Sequence, residues 1–126
     1  MRHFLKIEGS VVERVLIYGI GNYLKDEIKK LIPTDKLAEF TNTVVALADG
    51  DVSKQGKCYL GKKIIGPQSI SEYEFDYVVI GASEVYSGEI RNMLVADYSI
   101  SNGKIMNIRF YVFSFLTQEA NLIKSQ

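Results

Sequence analysis

Arg14–Ile32 reads RVLIYGIGNYLKDEIKKLI, and three signals in it set the fold. Val15–Tyr18 is an unbroken apolar run, as expected of a short strand covered on both faces. Gly19-Ile20-Gly21 is a glycine turn. From Asn22 onward, Leu24, Ile28, Leu31 and Ile32 recur at helical spacing on one stripe, and Pro33 stops the helix. Strand, glycine turn and helix in that order open a nucleotide-binding α/β domain.

The rest of the chain extends this unit. Thr34–Thr43 holds a short amphipathic piece with Leu37 and Phe40, and Asn42 reads as a turn residue. Val44–Ala48 is a second apolar strand. The polar, glycine-rich loop DGDVSKQGKCYLG follows, then a short third strand over Lys63–Ile65. Gly66-Pro67 breaks it, and Gln68–Tyr73 reads as a turn of helix begun at the proline. Tyr77–Ile80 is a fourth strand. Tyr86, Ile90, Met93 and Leu94 mark one face of a helix over Glu84–Ala96. Asn102-Gly103 turns the chain into a fifth strand, Ile105–Ile108. Strands apolar on both faces, alternating with helices, predict a mostly parallel five-stranded sheet with helices on both sides.

The flanks are less regular. In residues 1–13, Phe4, Leu5 and Ile7 read as a short lead-in helix or strand, broken at Glu8-Gly9-Ser10. The tail 109–126 carries Phe110, Tyr111, Val112, Phe113, Phe115 and Leu116, too apolar for a solvent-facing helix. Either it packs back on the sheet, or Phe110–Leu116 covers a second copy or a missing catalytic domain. Nothing divides the chain, and 126 residues suit one domain.

Composition removes several functions. Apolar residues make up 47%, enough for a core. Fifteen basic side chains balance fifteen acidic ones, so there is no basic excess to carry nucleic acid. No apolar run reaches the ~20 residues of a membrane span. Cys58 is the one cysteine, and no apolar segment follows the N-terminal basic residues as a signal peptide would require, so a cytoplasmic location is expected. His3, the one histidine, reads as a solvated terminal residue rather than a base. No Cys/His set suits a metal, no phosphate loop of Walker type is present, and no Ser/His/Asp set can be assembled. Tyr59 and Lys63 have the Tyr-x-x-x-Lys spacing of short-chain dehydrogenases, but read as loop ahead of a strand. No catalytic residue is therefore assigned.

The binding residues follow from the turn. Gly19-Ile20-Gly21-Asn22-Tyr23-Leu24 matches G-x-G-x-x-[GA] at its first two glycines. The first allows the sharp turn, and the second lets a pyrophosphate approach the backbone N–H groups opening the helix. At the third position Leu24 replaces a small residue, which is expected to push the helix from the strand or to place the helix differently. Asp49 ends the second strand, where an acid accepts from a ribose diol, although it lies farther along than the usual ~20 residues. An acid there favours NAD or a nucleoside diphosphate over NADP. Asp51 shares its turn. Ser83, after the fourth strand, either meets a phosphate or sugar or caps the next helix.

Three segments carry a resemblance: VLIYGIGNYLKDEI, VVALADGDVSKQGKCYLGKKIIGPQSI and YEFDYVVIGAS. They resemble the Rossmann-like nucleotide-binding domain of bacterial polysaccharide-biosynthesis proteins. That domain type accompanies nucleotide-sugar dehydratases and epimerases, sugar acyltransferases and methyltransferases. The matching residues are Gly19, Gly21, Asp49, Asp51, Lys54, Gly56, Gly61, Ile64, Pro67, Asp76, Tyr77 and Ser83. The resemblance implies a Rossmann-like three-layer sandwich. It also implies a module that binds NAD or a nucleoside-diphosphate sugar without catalytic groups of its own. Two other readings stay open: a transferase using S-adenosylmethionine, and a ligand-free assembly domain.

Overall fold

The structure, a computed structural model, describes residues 5–7 and 10–124, with side chains over 13–118. The readings of His3, of Phe4 and of the break at Glu8-Gly9 lie outside the described residues. Leu5–Ile7 (β1) and Ser10–Val12 (β2) pair antiparallel as a separate two-stranded ribbon.

The main sheet comprises β3 (Val15–Tyr18), β4 (Val44–Ala48), β5 (Cys58–Tyr59), β6 (Lys62–Ile65), β7 (Tyr77–Ile80) and β8 (Ile105–Asn107). Its spatial order is β5-β6-β4-β3-β7-β8. Every neighbouring pair is parallel except β5 with β6. The helices are α1 (Asn22–Leu31), α2 (Leu37–Thr43), α3 (Glu84–Tyr98) and α4 (Ile108–Lys124). Short 3-10 turns cover Thr34–Lys36, Pro67–Glu72 and Asn102–Lys104.

Side-chain alternation along β3 divides the core in two. Val15 and Ile17 point to a cluster with Leu24 and Ile28 of α1, Phe40 of α2, and Ile108, Tyr111, Val112 and Phe115 of α4. Leu16 and Tyr18 point to the other face, with Ile70, Leu94 and, partly buried, Ile90 and Met93. Period-two alternation on a sheet covered on both faces gives continuous apolar strands, as read from the sequence. A bulge between Val15 and Leu16 in the β3–β4 pairing puts Val45 and Ala46 on the same face, leaving Val44 and Leu47 for the other.

Several expectations are corrected. The sheet has six strands, not five. Leu60 (φ 53°) and Gly61 (φ 73°) form a tight turn that folds Cys58–Tyr59 back onto Lys62–Lys63, so part of the supposed loop is an edge strand. Asn42 is helical rather than a turn residue. The Thr43 hydroxyl donates to the Phe40 carbonyl at 2.7 Å, and the Val44 amide donates to the Thr41 carbonyl, so the helix ends directly into β4. Tyr86 is 60% exposed and belongs to neither core cluster; the core-facing stripe of α3 is the buried Leu94 with the partly buried Ile90 and Met93. Ile108 opens α4 instead of closing β8. The tail packs back on the sheet through Tyr111, Val112 and Phe115, while Phe110 and Phe113 remain exposed.

Among the described residues, no helix is long and apolar enough to cross a membrane. No group of three or more His, Cys, Asp or Glu side chains among them is placed to hold a metal ion.

Candidate functional site

The strand order reverses at β3. From it the chain runs outward through β4 and β6 on one side, and through β7 and β8 on the other. Ligands of open α/β sheets sit beyond the carboxyl ends of the strands at such a reversal. Three loops meet there: Gly19–Gly21 after β3, Asp49–Gln55 after β4, and Gly81–Ser83 after β7.

Backbone bonds hold these loops together. The Gly19 amide donates to the Ala48 carbonyl and the Gly81 amide to the Tyr18 carbonyl, each at 2.8 Å. Gly19 has φ +99°, which a side-chain-bearing residue adopts only with strain. Gly81 answers the problem posed by Leu24. A Cβ on Gly81 would stand 3.0 Å from Leu24 Cδ1 and would be driven into the Gly19 carbonyl oxygen. Leu24 is fully buried in that space. The space that Leu24 fills is thus left by Gly81, the residue directly after the neighbouring strand β7.

Asp49 is placed where the sequence put it, but its carboxylate is already engaged. Oδ2 accepts from the Ile20 amide at 2.7 Å, and Oδ1 accepts from the Asp51 amide at 2.8 Å. Lys54 Nζ lies 3.7 Å from Oδ2, and the Gln55 side-chain amide donates to the Asp49 carbonyl at 3.0 Å. Asp49 thus clamps the glycine turn to the loop. Each carboxylate oxygen has a further lone-pair direction, so a ribose hydroxyl would share it rather than own it. Asp51 turns away to its own loop, accepting from the Ser53 amide and hydroxyl; these bonds hold its carboxyl below the ordinary 3.8.

The opening of α1 has no cap. Gly21 offers no side chain, and the first turn contains no acidic residue. Its amides therefore present positive partial charge at the carboxyl edge. Lys54 adds a full charge: Nζ stands 3.5 Å from the position of a Gly21 Cβ. Ammonium and helix terminus repel one another, and together they favour an anion. Ile20 is buried and anchors the turn to the core, Asn22 is exposed, and Tyr23 is half-buried against the core. Ser83 takes the N-cap position of α3, where its carbonyl accepts from the Tyr86 and Ser87 amides at 3.0 Å, but its hydroxyl makes no capping bond. Tyr18, beneath the loops, has its phenol pushed above 10.0 by burial and then by the Asp49 charge.

The candidate residues Gly19, Ile20, Gly21, Asn22, Tyr23, Asp49 and Ser83 are thus gathered at one edge, and Asp51 points into its own turn. Lys54 and Gly81 went unassigned as site residues. Lys54 had a signal, its fixed place in the D-x-D-x-x-K stretch; Gly81 had none beyond ending a strand.

No curated protein matches the chain. A family model described as C2185-like, N-terminal, matches residues 11–106, from within the ribbon's second strand to Met106 in β8. On that match the chain belongs to the C2185-like N-terminal domain family.

Proposed function

We propose that this chain is a Rossmann-like module that binds NAD or a nucleoside-diphosphate sugar at the carboxyl edge of its sheet, without catalysing a reaction alone, in the synthesis of bacterial surface polysaccharide. The parallel strands, taken in chain order, lie 3-2-1-4-5, the order of doubly wound dinucleotide-binding sheets. The observation that carries the reading is the uncapped start of α1 with the Lys54 ammonium beside Gly21. Two negative phosphates complement it. Lys54 would leave its long contact with Asp49 for a phosphate oxygen, and Asp49 would share a lone pair with a ribose hydroxyl. Polysaccharide synthesis is supported by the resemblance of the D-x-D-x-x-K-x-G stretch.

Calorimetric titration with NAD, UDP, UDP-N-acetylglucosamine and S-adenosylmethionine tests this. NAD or a UDP compound should bind, and Lys54→Ala should weaken it by about 1.5–3 kcal/mol, the range for hydrogen bonds to charged groups. Binding of S-adenosylmethionine alone would replace the reading with a transferase. No binding at millimolar ligand would remove it.

A second reading, assembly through α4, rests on Phe110 at 58% and Phe113 at 71% exposure, one turn apart on the same helix. Sedimentation should then show association that Phe113→Asp abolishes. A monomer at every concentration would discard this role.

A further inference from the structure

At the opposite, amino edge of the sheet lies an open cleft of about 330 Å³. Its residues come from the segments entering β3, β7 and β8 and from the end of α3, and none belongs to the glycine-turn site. We propose that this cleft binds a small carboxylate with an apolar body, held by Arg14 and Lys104.

Arg14 carries the argument. Its backbone is fixed: the amide donates to Asp76 Oδ2 at 3.0 Å, and the carbonyl accepts from the Asp76 amide at 2.8 Å. The side chain therefore leaves from a set position. One terminal nitrogen lies 3.5 Å from Glu74 Oε2, too long for a strong bond, while Nε is buried without a hydrogen-bond partner. A buried guanidinium N–H lacking an acceptor is unfavourable. Nε itself is closed to the cleft, so the groups open to a ligand are the terminal nitrogens, and the acceptor that fits their paired N–H groups best is a carboxylate, which takes two parallel bonds. Lys104 brings a second cation to the same lining, placed by the 3-10 turn in which its amide donates to the Ser101 carbonyl at 2.9 Å.

Charge alone does not decide the ligand. Glu74 faces the cleft, and α3 ends there with its negative carbonyl pole, at Ser99 in the left-handed region. Both work against a compact, highly charged anion such as phosphate. Tyr73, Phe75 and Ile100 supply an apolar wall. One negative charge on an apolar body matches both the cations and that wall, and the volume suits a small molecule.

The test is an NMR titration of isotope-labelled protein with benzoate and, separately, with inorganic phosphate. Benzoate should shift the Arg14 Nε–H signal and the amides of Ser99 to Lys104 with a saturable profile, leaving the Gly19–Tyr23 amides unmoved. Lys104→Ala replaces an exposed side chain and should weaken the response about tenfold, as for one lost charged contact. Arg14→Lys, which keeps the charge and removes the fork, should weaken it further. Absence of saturable shifts at millimolar benzoate would overturn the proposal. So would an equal response to phosphate, or an unchanged response in Lys104→Ala. Because the two edges are read by different signals, failure here is distinguishable from failure of nucleotide binding.

Discussion

Gly81→Ala is expected to destabilise the protein by about 3 kcal/mol or more, the upper range for overpacking a close-packed core. The new methyl would meet the Gly19 carbonyl oxygen, with Leu24 Cδ1 at 3.0 Å and Leu24 Cβ at 3.2 Å. Backbone cannot give way as a flexible side-chain tip can. The Gly81 amide is tied to the Tyr18 carbonyl, and Gly19 is held at positive φ by its own bond to Ala48. Relief would therefore require β3 and β7 to separate, and the glycine turn would move with them. Urea unfolding checks the magnitude. Gly88→Ala, inside α3 with nothing within 4 Å of the new methyl, is the control. It should be neutral or stabilise by up to about 1 kcal/mol through better helix propensity. Equal behaviour of the two variants would mean that the close approach at Gly81 is not as described. A Leu24→Ala change added to Gly81→Ala should rescue little, because the carbonyl contact remains.

That pair of residues shows where sequence reading stops. The first two motif glycines were legible because their task is local: a positive φ and an open approach within three residues. Leu24 could be seen as a departure, but the glycine that makes room for it lies just after β7, far along the chain, and strand adjacency is not written in any single segment. Asp49 was legible by position at a strand end. Its bond to the Ile20 amide was not, since that requires β3 and β4 to be side by side. The β5–β6 hairpin had a faint signal in Leu60-Gly61, which a strand of two residues with an exposed cysteine concealed. The Glu27–Arg109 pair had no signal at all. Each is an ordinary surface-type residue on an amphipathic helix, yet Arg109 Nε and Nη2 donate to the two Glu27 oxygens at 2.9 and 3.0 Å, and Glu27 is buried.

Phe40→Ala is the second large effect, expected to cost about 3–5 kcal/mol, as for deleting a buried aromatic. Phe40 is fully buried, and its ring contacts Phe115 edge-on at 5.6 Å and Tyr111 at 5.9 Å, both on α4. The Tyr111 hydroxyl donates to Thr43 Oγ1 at 2.7 Å, so α2 and α4 are joined by packing and a buried bond. Removing the ring opens a cavity under α4 and takes away its contacts with Tyr111 and Phe115, leaving that helix held by its remaining apolar packing, the Tyr111–Thr43 bond and the Glu27–Arg109 pair. The loss should therefore be uneven: hydrogen exchange should accelerate in α4 more than in β3 or β7. The Arg109 bonds hold the Glu27 carboxyl below its ordinary 4.5. A lowered folded value stabilises fully above the unfolded value and is lost as pH falls through the folded one. In Phe40→Ala, α4 should thus release further as pH drops below 4.5, whereas Glu27→Gln should abolish that acid dependence. Uniform exchange across all elements would instead show that α4 and the sheet unfold as one unit. The exposed Phe110–Phe113 surface would then be presented by the same cooperative core that holds the glycine turn.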